Sequence, residues 1–461
     1  MNINNTVQGL RDNKLKRDLG FFSTTAIIIG QMVGSGIYMT PQGLAELANP
    51  KAAILAMIIT GCGALALALS FAKLGECLPV SGSAVAYTRA AFGELPSFLV
   101  GWSYWCGCWI GNGAIIMGGL SYASYFIPTL SQNSIYTFLI AAFIIWVYTF
   151  INIRGVKKAG SINLILTIVK LLPFVVFIAI AIPNFDVQNI GTISSPEVEG
   201  FGVLSIAMAY TLWSFTGFEG ASVNAGEVKN TKIIKQATIL GTGFVVILYL
   251  ILVILAAGNM SQPDLASSSS PFSDIIQNAT GAYWAGGFIS LGVCVSALGC
   301  IGAWIISSAR IAYSLGEQEL FPKLFAKVHY KYQTPYAALI INATLMTGIM
   351  FLSYITNQGG VYNFLVLLAV MSLLVFYAFG AASEIMLLAK KEIPLNPFNF
   401  IKNSVLGLIA LIYAFYTIYG SGAEVVMYGF LFMLAGIPFY IYVKFQNNQE
   451  IELRERVCRR S

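Results

Sequence analysis

The chain has 461 residues, of which 57% are hydrophobic and only 10% are charged, and its mean hydropathy is +0.75. Because soluble domains carry roughly 25% charged residues, this composition excludes an ordinary soluble protein and indicates an integral membrane protein. The formal charge of +6 would suit a nucleic acid partner, but the basic residues form short clusters between apolar segments, which is the pattern of membrane topology.

Cysteine and histidine usage argues against several kinds of site. The seven cysteines show no metal-ligand spacing, and six lie in or beside apolar segments, where we expect them to pack as small hydrophobic side chains. The single histidine, His329, lies in a basic loop, so a histidine-based proton relay or metal centre is not expected. The sequence offers no nucleophile–base pair or phosphate-binding loop, and we therefore expect neither a cofactor nor an enzyme.

A polar segment at residues 1–18 opens the chain and is predicted to be a cytoplasmic tail, because it lacks the apolar core of a signal peptide. A membrane span needs roughly 20 apolar residues. By this criterion we predict an all-α protein with twelve spans and a cytoplasmic tail at 446–461. The spans lie near 20–46, 52–74, 97–128, 134–154, 161–183, 201–226, 236–258, 284–314, 336–356, 361–389, 403–421 and 425–445.

The distribution of charge predicts the orientation. Lysines and arginines concentrate after spans 4, 6, 8, 10 and 12, whereas the segments on the other side carry acids and almost no bases beyond Lys51. Cytoplasmic segments of membrane proteins are enriched in lysine and arginine. We therefore expect a multi-pass protein of the cell (inner) membrane with both termini in the cytoplasm.

The middle of span 1 carries Gly34-Ser35-Gly36. Each glycine costs about 1 kcal/mol relative to alanine in a helix interior, and non-helical backbone persists at membrane depth only where it is buried in protein or lines a polar cavity. A helix that restarts there offers free N–H groups and a partial positive charge to an anionic group. We predict a broken helix and a solute site. The alternative is a packing motif in which small residues let two helices approach closely.

A second interruption lies in span 6, where serine, threonine and two glycines surround an acid, Glu219, at membrane depth. Two interrupted helices in corresponding positions indicate a transporter built from repeats. Because the second interruption comes five spans after the first, and five is an odd number, the two halves must be inverted relative to each other. We expect repeats at 19–183 and 201–389, with spans 11 and 12 (403–445) outside them.

Six motifs together resemble the amino acid–polyamine–organocation superfamily of transporters, and within it the basic amino acid and polyamine antiporters, such as the arginine–agmatine antiporters. The resemblance implies a LeuT-like five-plus-five inverted repeat with broken helices 1 and 6, in a protein that works by alternating access. The motifs are Gly34-Ser35-Gly36, Pro79-Val80-Ser81-Gly82-Ser83 with Tyr87, Tyr104 to Asn112, Leu212-Trp213-Ser214-Phe215 with Glu219, Ala303-Trp304, and Leu320-Phe321-Pro322.

The resemblance also implies where the amino acid end of a substrate binds. The α-carboxylate would meet the N–H groups and hydroxyl at Ser35 and Gly36, and the α-ammonium would meet free carbonyls near Met32, Trp213 and Thr216. Positive half-helix ends and unwound carbonyls suit these two charges. Trp213 would also close over the substrate from outside. The alternative for Trp213 is simple packing in a helix interface.

By the same resemblance, a cationic distal end would stack on Trp304, a contact worth about 2 kcal/mol when desolvated. Asn112, with the carbonyls of Gly107 and Cys108, would bind the guanidinium or amine. Two alternatives remain open from the residues alone: Trp304 as a packing residue, and Asn112 as a hydrogen bond between helices.

Four residues are assigned to gating or proton coupling. The resemblance gives Tyr104 and Tyr377 gating roles and Glu219 a pH-responsive role; an acid at membrane depth is costly and usually functional. Lys170, inside span 5, matches a lysine of proton-coupled relatives near the ion site of sodium-coupled ones. The alternatives are an interfacial aromatic for Tyr104 and a lysine that extends to the cytoplasmic interface for Lys170.

We therefore expect an antiporter that exchanges a cationic amino acid (arginine, ornithine or lysine) for its amine product or another amino acid. A proton-coupled uptake symporter is the alternative, and a channel, an intramembrane enzyme and a nutrient receptor fit less well. Three departures from the arginine exchangers, Gln31, Thr216 and Ala369, leave the identity of the cation open. The expected partners are a small amino acid or amine and the lipid bilayer, with a homodimer implied by the resemblance.

Overall fold

The computed structural model describes residues 19–78, 83–154, 159–191, 201–225, 228–356, 360–390 and 397–458. This part of the chain is almost entirely helical, and its one β-type pairing is an isolated bridge between Leu19 and Val228. The predicted tail at 1–18 and the motif residues Pro79 to Gly82 lie outside the described residues.

Twelve membrane spans follow one another in the described part of the chain. Eight helices there are long and apolar enough to cross a membrane, shorter apolar helices cover spans 5, 6 and 11, and span 3 is 30 residues long. Span 1 is Phe21–Met32 and Gly36–Leu47, span 2 Pro50–Cys77, span 3 Glu94–Ala123, span 4 Ser134–Arg154, span 5 Ala159–Ala181, span 6 Phe201–Phe215 and Gly220–Val223, span 7 Thr231–Asn259, span 8 Tyr283–Glu317, span 9 Tyr336–Thr356, span 10 Val361–Ala389, span 11 Pro397–Gly420 and span 12 Ala423–Cys458.

Both predicted interruptions are confirmed. Span 1 stops at Met32 and restarts at Gly36, and span 6 stops at Phe215 and restarts at Gly220. We refer to the two parts of span 1 as 1a and 1b, and to those of span 6 as 6a and 6b. Because the number of spans is even, the two ends of the chain face the same side of the membrane, which we call the terminal side. Odd-numbered spans run away from that side, and even-numbered spans run towards it.

Span boundaries differ from the prediction in two places. Span 3 was expected to reach residue 128 but ends at Ala123, and a separate short helix, Thr129–Gln132, follows Pro128, because proline lacks the N–H that would continue a helix. Span 12 was expected to end near residue 445 but continues to Cys458. The extension is rich in glutamate, glutamine and arginine, which are good helix formers outside a membrane.

Besides Thr129–Gln132, four short helices in the loops were not predicted: Ala84–Phe92, Val187–Gly191, Gln262–Ser267 and Pro271–Thr280. The last two begin with proline within the first two helical positions, and Ser261 caps the first of them by accepting from the Asp264 N–H. Serine at the cap and proline at the start are recognisable helix-start signals. Apolar periodicity alone missed them because each helix is too short to show a repeat.

Span 3 lies at the centre of the helix bundle. It packs mainly against spans 8 and 10, while span 2 packs against spans 6a and 7, and span 1a against spans 5 and 7. Span 1b contacts span 3, and span 6a packs against spans 1b and 10. This arrangement brings the interruptions of spans 1 and 6 to one place.

Candidate functional site

The interruption of span 1 leaves backbone carbonyls that the helix cannot satisfy. Side chains from three other spans donate to them, so the unwound segment is held in place at membrane depth. This is the condition under which irregular backbone is tolerated there, and it favours a built site over a simple packing motif. The donors are Lys170 Nζ to Gly30 O (3.1 Å) and Val33 O (3.3 Å), Trp304 Nε1 to Gln31 O (3.2 Å), and Tyr249 Oη to Met32 O (2.9 Å).

Two of the predicted backbone ligands already have partners in this conformation. The Met32 carbonyl accepts from both Tyr249 and the Gly34 N–H, and the Trp213 carbonyl accepts from the Thr216 hydroxyl at 2.8 Å. Neither is therefore a free acceptor here. An α-ammonium that used them would have to share or displace these hydrogen bonds.

Ser35 is oriented differently from the other predicted ligands. Its hydroxyl is fully buried and donates to the Ile115 carbonyl of span 3 at 2.8 Å. Ser35 is not among the residues that line the central cavity, whereas Gly34 and Gly36 are. What span 1b offers to an anion is therefore the N–H groups at its start, which lack intrahelical acceptors.

The interruption of span 6 is a four-residue turn, Thr216 to Glu219. Gly217 has a φ of +112°, a conformation that only glycine adopts without strain. Its N–H donates to Glu219 Oε2 at 3.0 Å. The turn therefore places the Thr216 side of the loop against the cavity and directs the Glu219 carboxylate back towards the loop's own backbone.

A cavity lies between the two interruptions, span 3 and span 8. It is lined by eight of the nine predicted substrate residues, and no charged side chain lines it. A zwitterionic amino acid would have to be held there by helix ends, carbonyls, hydroxyls and aromatic faces. The eight are Met32, Gly36, Gly107, Cys108, Asn112, Trp213, Thr216 and Trp304.

The Trp213 indole spans the cavity between span 1b and span 3. A Cβ added at Gly36 would lie 2.8 Å from its Nε1, and one added at Gly111 would lie 2.8 Å from its Cη2. Carbon atoms normally approach to about 3.5–4.0 Å, so glycine is needed on both sides of the ring. Trp213 is thus packed across the cavity wall, where its movement would change the space available to a solute.

Asn112 is the least satisfied polar side chain of the cavity. It is 1% exposed, and neither its Nδ2 nor its Oδ1 has a hydrogen-bond partner. A buried amide left without partners costs about 1–3 kcal/mol. The alternative of a hydrogen bond to another helix is not what the described residues show. The amide is available to a polar group in the cavity.

Glu219 joins the two predicted gating tyrosines on the terminal side of the cavity. Tyr104 of span 3 donates to its Oε1 at 3.2 Å, and Tyr377 of span 10 donates to its Oε2 at 3.1 Å. All three side chains are at most 1% exposed. Tyr104 is therefore not an interfacial aromatic. The three residues tie spans 3, 6 and 10 together one helical turn below Cys108.

Lys170 does not extend to the membrane interface. Its side chain is 2% exposed, and its ammonium binds the carbonyls at the end of span 1a. It also lies close to span 8, because a Cβ at Gly299 would be 3.2 Å from the Nζ atom. Lys170 thus connects span 5 to the interruption of span 1. A bound cation at this position could bind the same carbonyls.

The family model for amino acid permeases matches residues 19–443. This match covers all twelve spans but for the last residues of span 12. The chain belongs to the amino acid permease family. An amino acid permease with interruptions in spans 1 and 6 has the twelve-helix, LeuT-like fold of five-plus-five inverted repeats, so the predicted fold class is confirmed.

Three relatives illustrate where this amino acid permease lies within the family. An arginine/agmatine antiporter of Chlamydia abortus is 29% identical, with 93% of this chain and 90% of the relative aligned. An arginine/ornithine antiporter of Pseudomonas aeruginosa is 28% identical, with 93% and 91% aligned. An arginine/ornithine antiporter of Lactococcus lactis is 27% identical, with 96% and 93% aligned. The predicted resemblance is confirmed.

Several residues of the cavity were not predicted from the sequence. Cys300 and Leu373 line it, and each lies one helical turn from a predicted residue, Trp304 and Tyr377 respectively. Because residues four apart share a helix face, this spacing was a usable signal. Tyr249, whose hydroxyl holds the Met32 carbonyl, gave no signal, since only the tertiary structure brings span 7 to the interruption of span 1.

Proposed function

We propose that this permease is an antiporter that exchanges a cationic amino acid (arginine, ornithine or lysine) for its amine product or another amino acid. The observation that carries the proposal is that the unpartnered Asn112 amide and the Trp304 ring line the same cavity, which has no charged side chain. In such a cavity the charges of the substrate's α-carboxylate and α-ammonium compensate each other. The distal cation of the substrate is then bound by an aromatic face and an amide oxygen. The activities after which the three relatives are named agree with this assignment.

In this proposal the substrate lies across the two interruptions. Its α-carboxylate accepts from the N–H groups at Ser35 and Gly36, where the start of a helix favours an anion. The Thr216 loop and, after rearrangement, the Met32 and Trp213 carbonyls receive the α-ammonium. Transport then needs no covalent chemistry, only alternating exposure of this site to the two sides of the membrane.

The distal end of the substrate meets Trp304, Asn112 and the carbonyls of Gly107 and Cys108. A cation over a desolvated tryptophan face gains about 2 kcal/mol, which corresponds to roughly 30-fold in affinity. Trp213 covers the substrate from the side opposite the termini. Its close packing against Gly36 and Gly111 supports a role that depends on ring position.

Release on the terminal side requires the Glu219 cluster to separate, because its two tyrosine bonds tie spans 3, 6 and 10 together there. Protonation of Glu219 removes an acceptor charge from both hydrogen bonds, which gives the exchange a dependence on pH. The terminal side is the cytoplasm in this proposal, since the lysine- and arginine-rich loops face it. The protein would lie in the cell membrane, and a homodimer through spans 11 and 12 is the proposed assembly.

Proton-coupled uptake is the second candidate, and Lys170 is the observation that favours it. Its ammonium holds the end of span 1a through Gly30 and Val33, with no carboxylate among its described partners. Loss of its proton would release that contact and change the position of span 1a. Because a fixed ammonium replaces a cation at this position, neither candidate requires sodium.

The test is uptake of labelled arginine into proteoliposomes preloaded with buffer, arginine, agmatine, ornithine or lysine, with and without a pH gradient. We expect uptake only where a cationic partner is inside. Trp304→Leu is expected to lose at least tenfold in apparent affinity, and Trp284→Leu is the matched control, since Trp284 lies on the same span but is 77% exposed. Uptake into empty vesicles driven by the pH gradient would overturn antiport and favour the second candidate.

A further inference from the structure

A second cavity is separate from the substrate site and opens on the side opposite the termini. We call it the outer vestibule; its walls come from spans 1b, 3, 4, 9 and 10, from the short helix Thr129–Gln132 and from the loop at Ala266 to Ser269. It begins one helical turn beyond the central cavity, because Gly36 and Ile115 line the central cavity while Met39 and Gly118 line the vestibule.

Glu46 is the one charged residue among those that line the outer vestibule. It lies at the outer end of span 1b with an accessible side chain. Its two carboxylate oxygens accept from the side-chain amides of Gln42 and Asn363. Within the described residues it forms no ion pair with a lysine or arginine. The vestibule therefore carries an unbalanced negative charge.

One further polar atom in the wall lacks a hydrogen-bond partner, the side-chain carbonyl oxygen of Asn363 at the start of span 10. The neighbouring Tyr362 lies in the same wall, and its hydroxyl is within hydrogen-bonding reach of the Trp213 side chain. Asn363 uses its amide nitrogen on Glu46, so its oxygen remains as an acceptor beside a carboxylate. A carboxylate, an amide oxygen and a hydroxyl in one wall make an acceptor-rich surface, which suits a donor-only cation such as guanidinium or ammonium.

We propose that Glu46, Tyr362 and Asn363 form a second, outer site that binds the distal guanidinium or ammonium group of the substrate before it reaches the central cavity. This inference rests on the proposed function, because it requires a cationic substrate. A cleft with low-dielectric walls and charge of one sign concentrates oppositely charged solutes and raises their association rate. The outer site supplies the negative charge that the central cavity lacks.

The outer site predicts an asymmetric effect on transport. Its charge acts only on substrate that arrives from the side opposite the termini, so it changes the apparent KM there and leaves the KM at the terminal face unchanged. Attraction between solvated charges is screened by salt. The outer KM of the wild-type protein is therefore expected to rise with ionic strength, and this dependence is expected to weaken when the charge is removed.

The experiment compares Glu46→Gln, Glu46→Asp and Asp186→Asn in right-side-out and inside-out vesicles. Glu46→Gln removes the charge and keeps one acceptor oxygen, so one of the two amides of Gln42 and Asn363 still donates to it while the other must turn its own oxygen towards the new NH2 group. Glu46→Asp keeps the charge. Asp186→Asn is the matched control, because it removes an exposed acid that lies on the same side of the membrane but does not line the vestibule. Labelled arginine exchange is measured at each face over a range of arginine and choline chloride concentrations.

Glu46→Gln is expected to raise the KM at the outer face roughly three- to tenfold, the low end of such steering effects, with a flatter salt dependence. Glu46→Asp is expected to restore both values, and Asp186→Asn to resemble the wild type. If the wild type exchanges arginine but Glu46→Gln matches Asp186→Asn, the outer site is refuted while antiport stands. If the wild type exchanges no cationic amino acid at either face, both the proposed function and the outer site fail.

Discussion

Replacing Asn112 by leucine is expected to make this permease more stable and less able to transport. The side chain is 1% exposed and its amide has no hydrogen-bond partner. An unpartnered buried amide costs about 1–3 kcal/mol, and leucine has a similar shape without the polar atoms. Asn112→Leu should therefore raise the free energy of unfolding by up to that amount.

The same substitution removes the group that we assign to the distal cation. A hydrogen bond to a charged group contributes about 1.5–3 kcal/mol, which corresponds to an apparent affinity for arginine lower by roughly 10- to 150-fold. Stability and function are thus expected to move in opposite directions. A residue with a purely structural role does not behave in this way.

Asn342→Leu provides the matched control. Asn342 is also 1% exposed, but it accepts from Trp105 Nε1 at 2.6 Å and donates to the Ser308 hydroxyl at 2.9 Å. Its replacement leaves two buried groups without partners and should destabilise the protein by about 1–3 kcal/mol for each of them. Thermal unfolding of both variants in detergent, with exchange kinetics in vesicles, gives the comparison. An Asn112→Leu variant that is as unstable as Asn342→Leu and keeps the wild-type KM would refute the assignment.

Three further predictions concern the other parts of the site. Gly111→Ala should displace the Trp213 ring at a cost of about 1–3 kcal/mol, which weakens arginine affinity roughly 5- to 150-fold. Gly113→Ala is the control, because its added Cβ would be 3.3 Å from its nearest neighbour. It should leave arginine affinity unchanged in the same exchange assay. Glu219→Gln should flatten the pH profile of exchange, and an unchanged profile would remove the residue from pH control. Lys170→Met should lower the exchange rate at least tenfold without creating sodium dependence, which uptake in sodium and choline buffers would reveal.

The interruptions of both broken spans could be predicted from local chemistry. Gly34 and Gly36 disfavour helix, and Glu219 with its neighbouring glycines stands out in an apolar span, so both breaks lie where the sequence placed them. By family resemblance, Tyr104 was expected to act as a gate and Glu219 to respond to pH, but no contact between them was predicted. Their hydrogen bond depends on how spans 3 and 6 pack, which no local pattern encodes.

Other features could not be predicted because they depend on competition between partners. The Ser35 hydroxyl could bind a substrate or a backbone carbonyl, and in the structure it donates to Ile115. The Met32 carbonyl looked free from the sequence, but Tyr249 from span 7 occupies it. Both polar groups lie at the interruption of span 1, as the sequence predicted. Their partners were decided by contacts between segments far apart in the chain.

Competition between arginine and citrulline tests most directly whether the central cavity recognises a cation. The two amino acids share length and shape, but citrulline carries a neutral urea in place of the guanidinium. With Trp304 and Asn112 holding the distal cation, unlabelled arginine should inhibit labelled arginine exchange at least tenfold more strongly than citrulline does. Equal inhibition by the two compounds would contradict a cationic site and show that the cavity selects its substrate by the amino acid end alone.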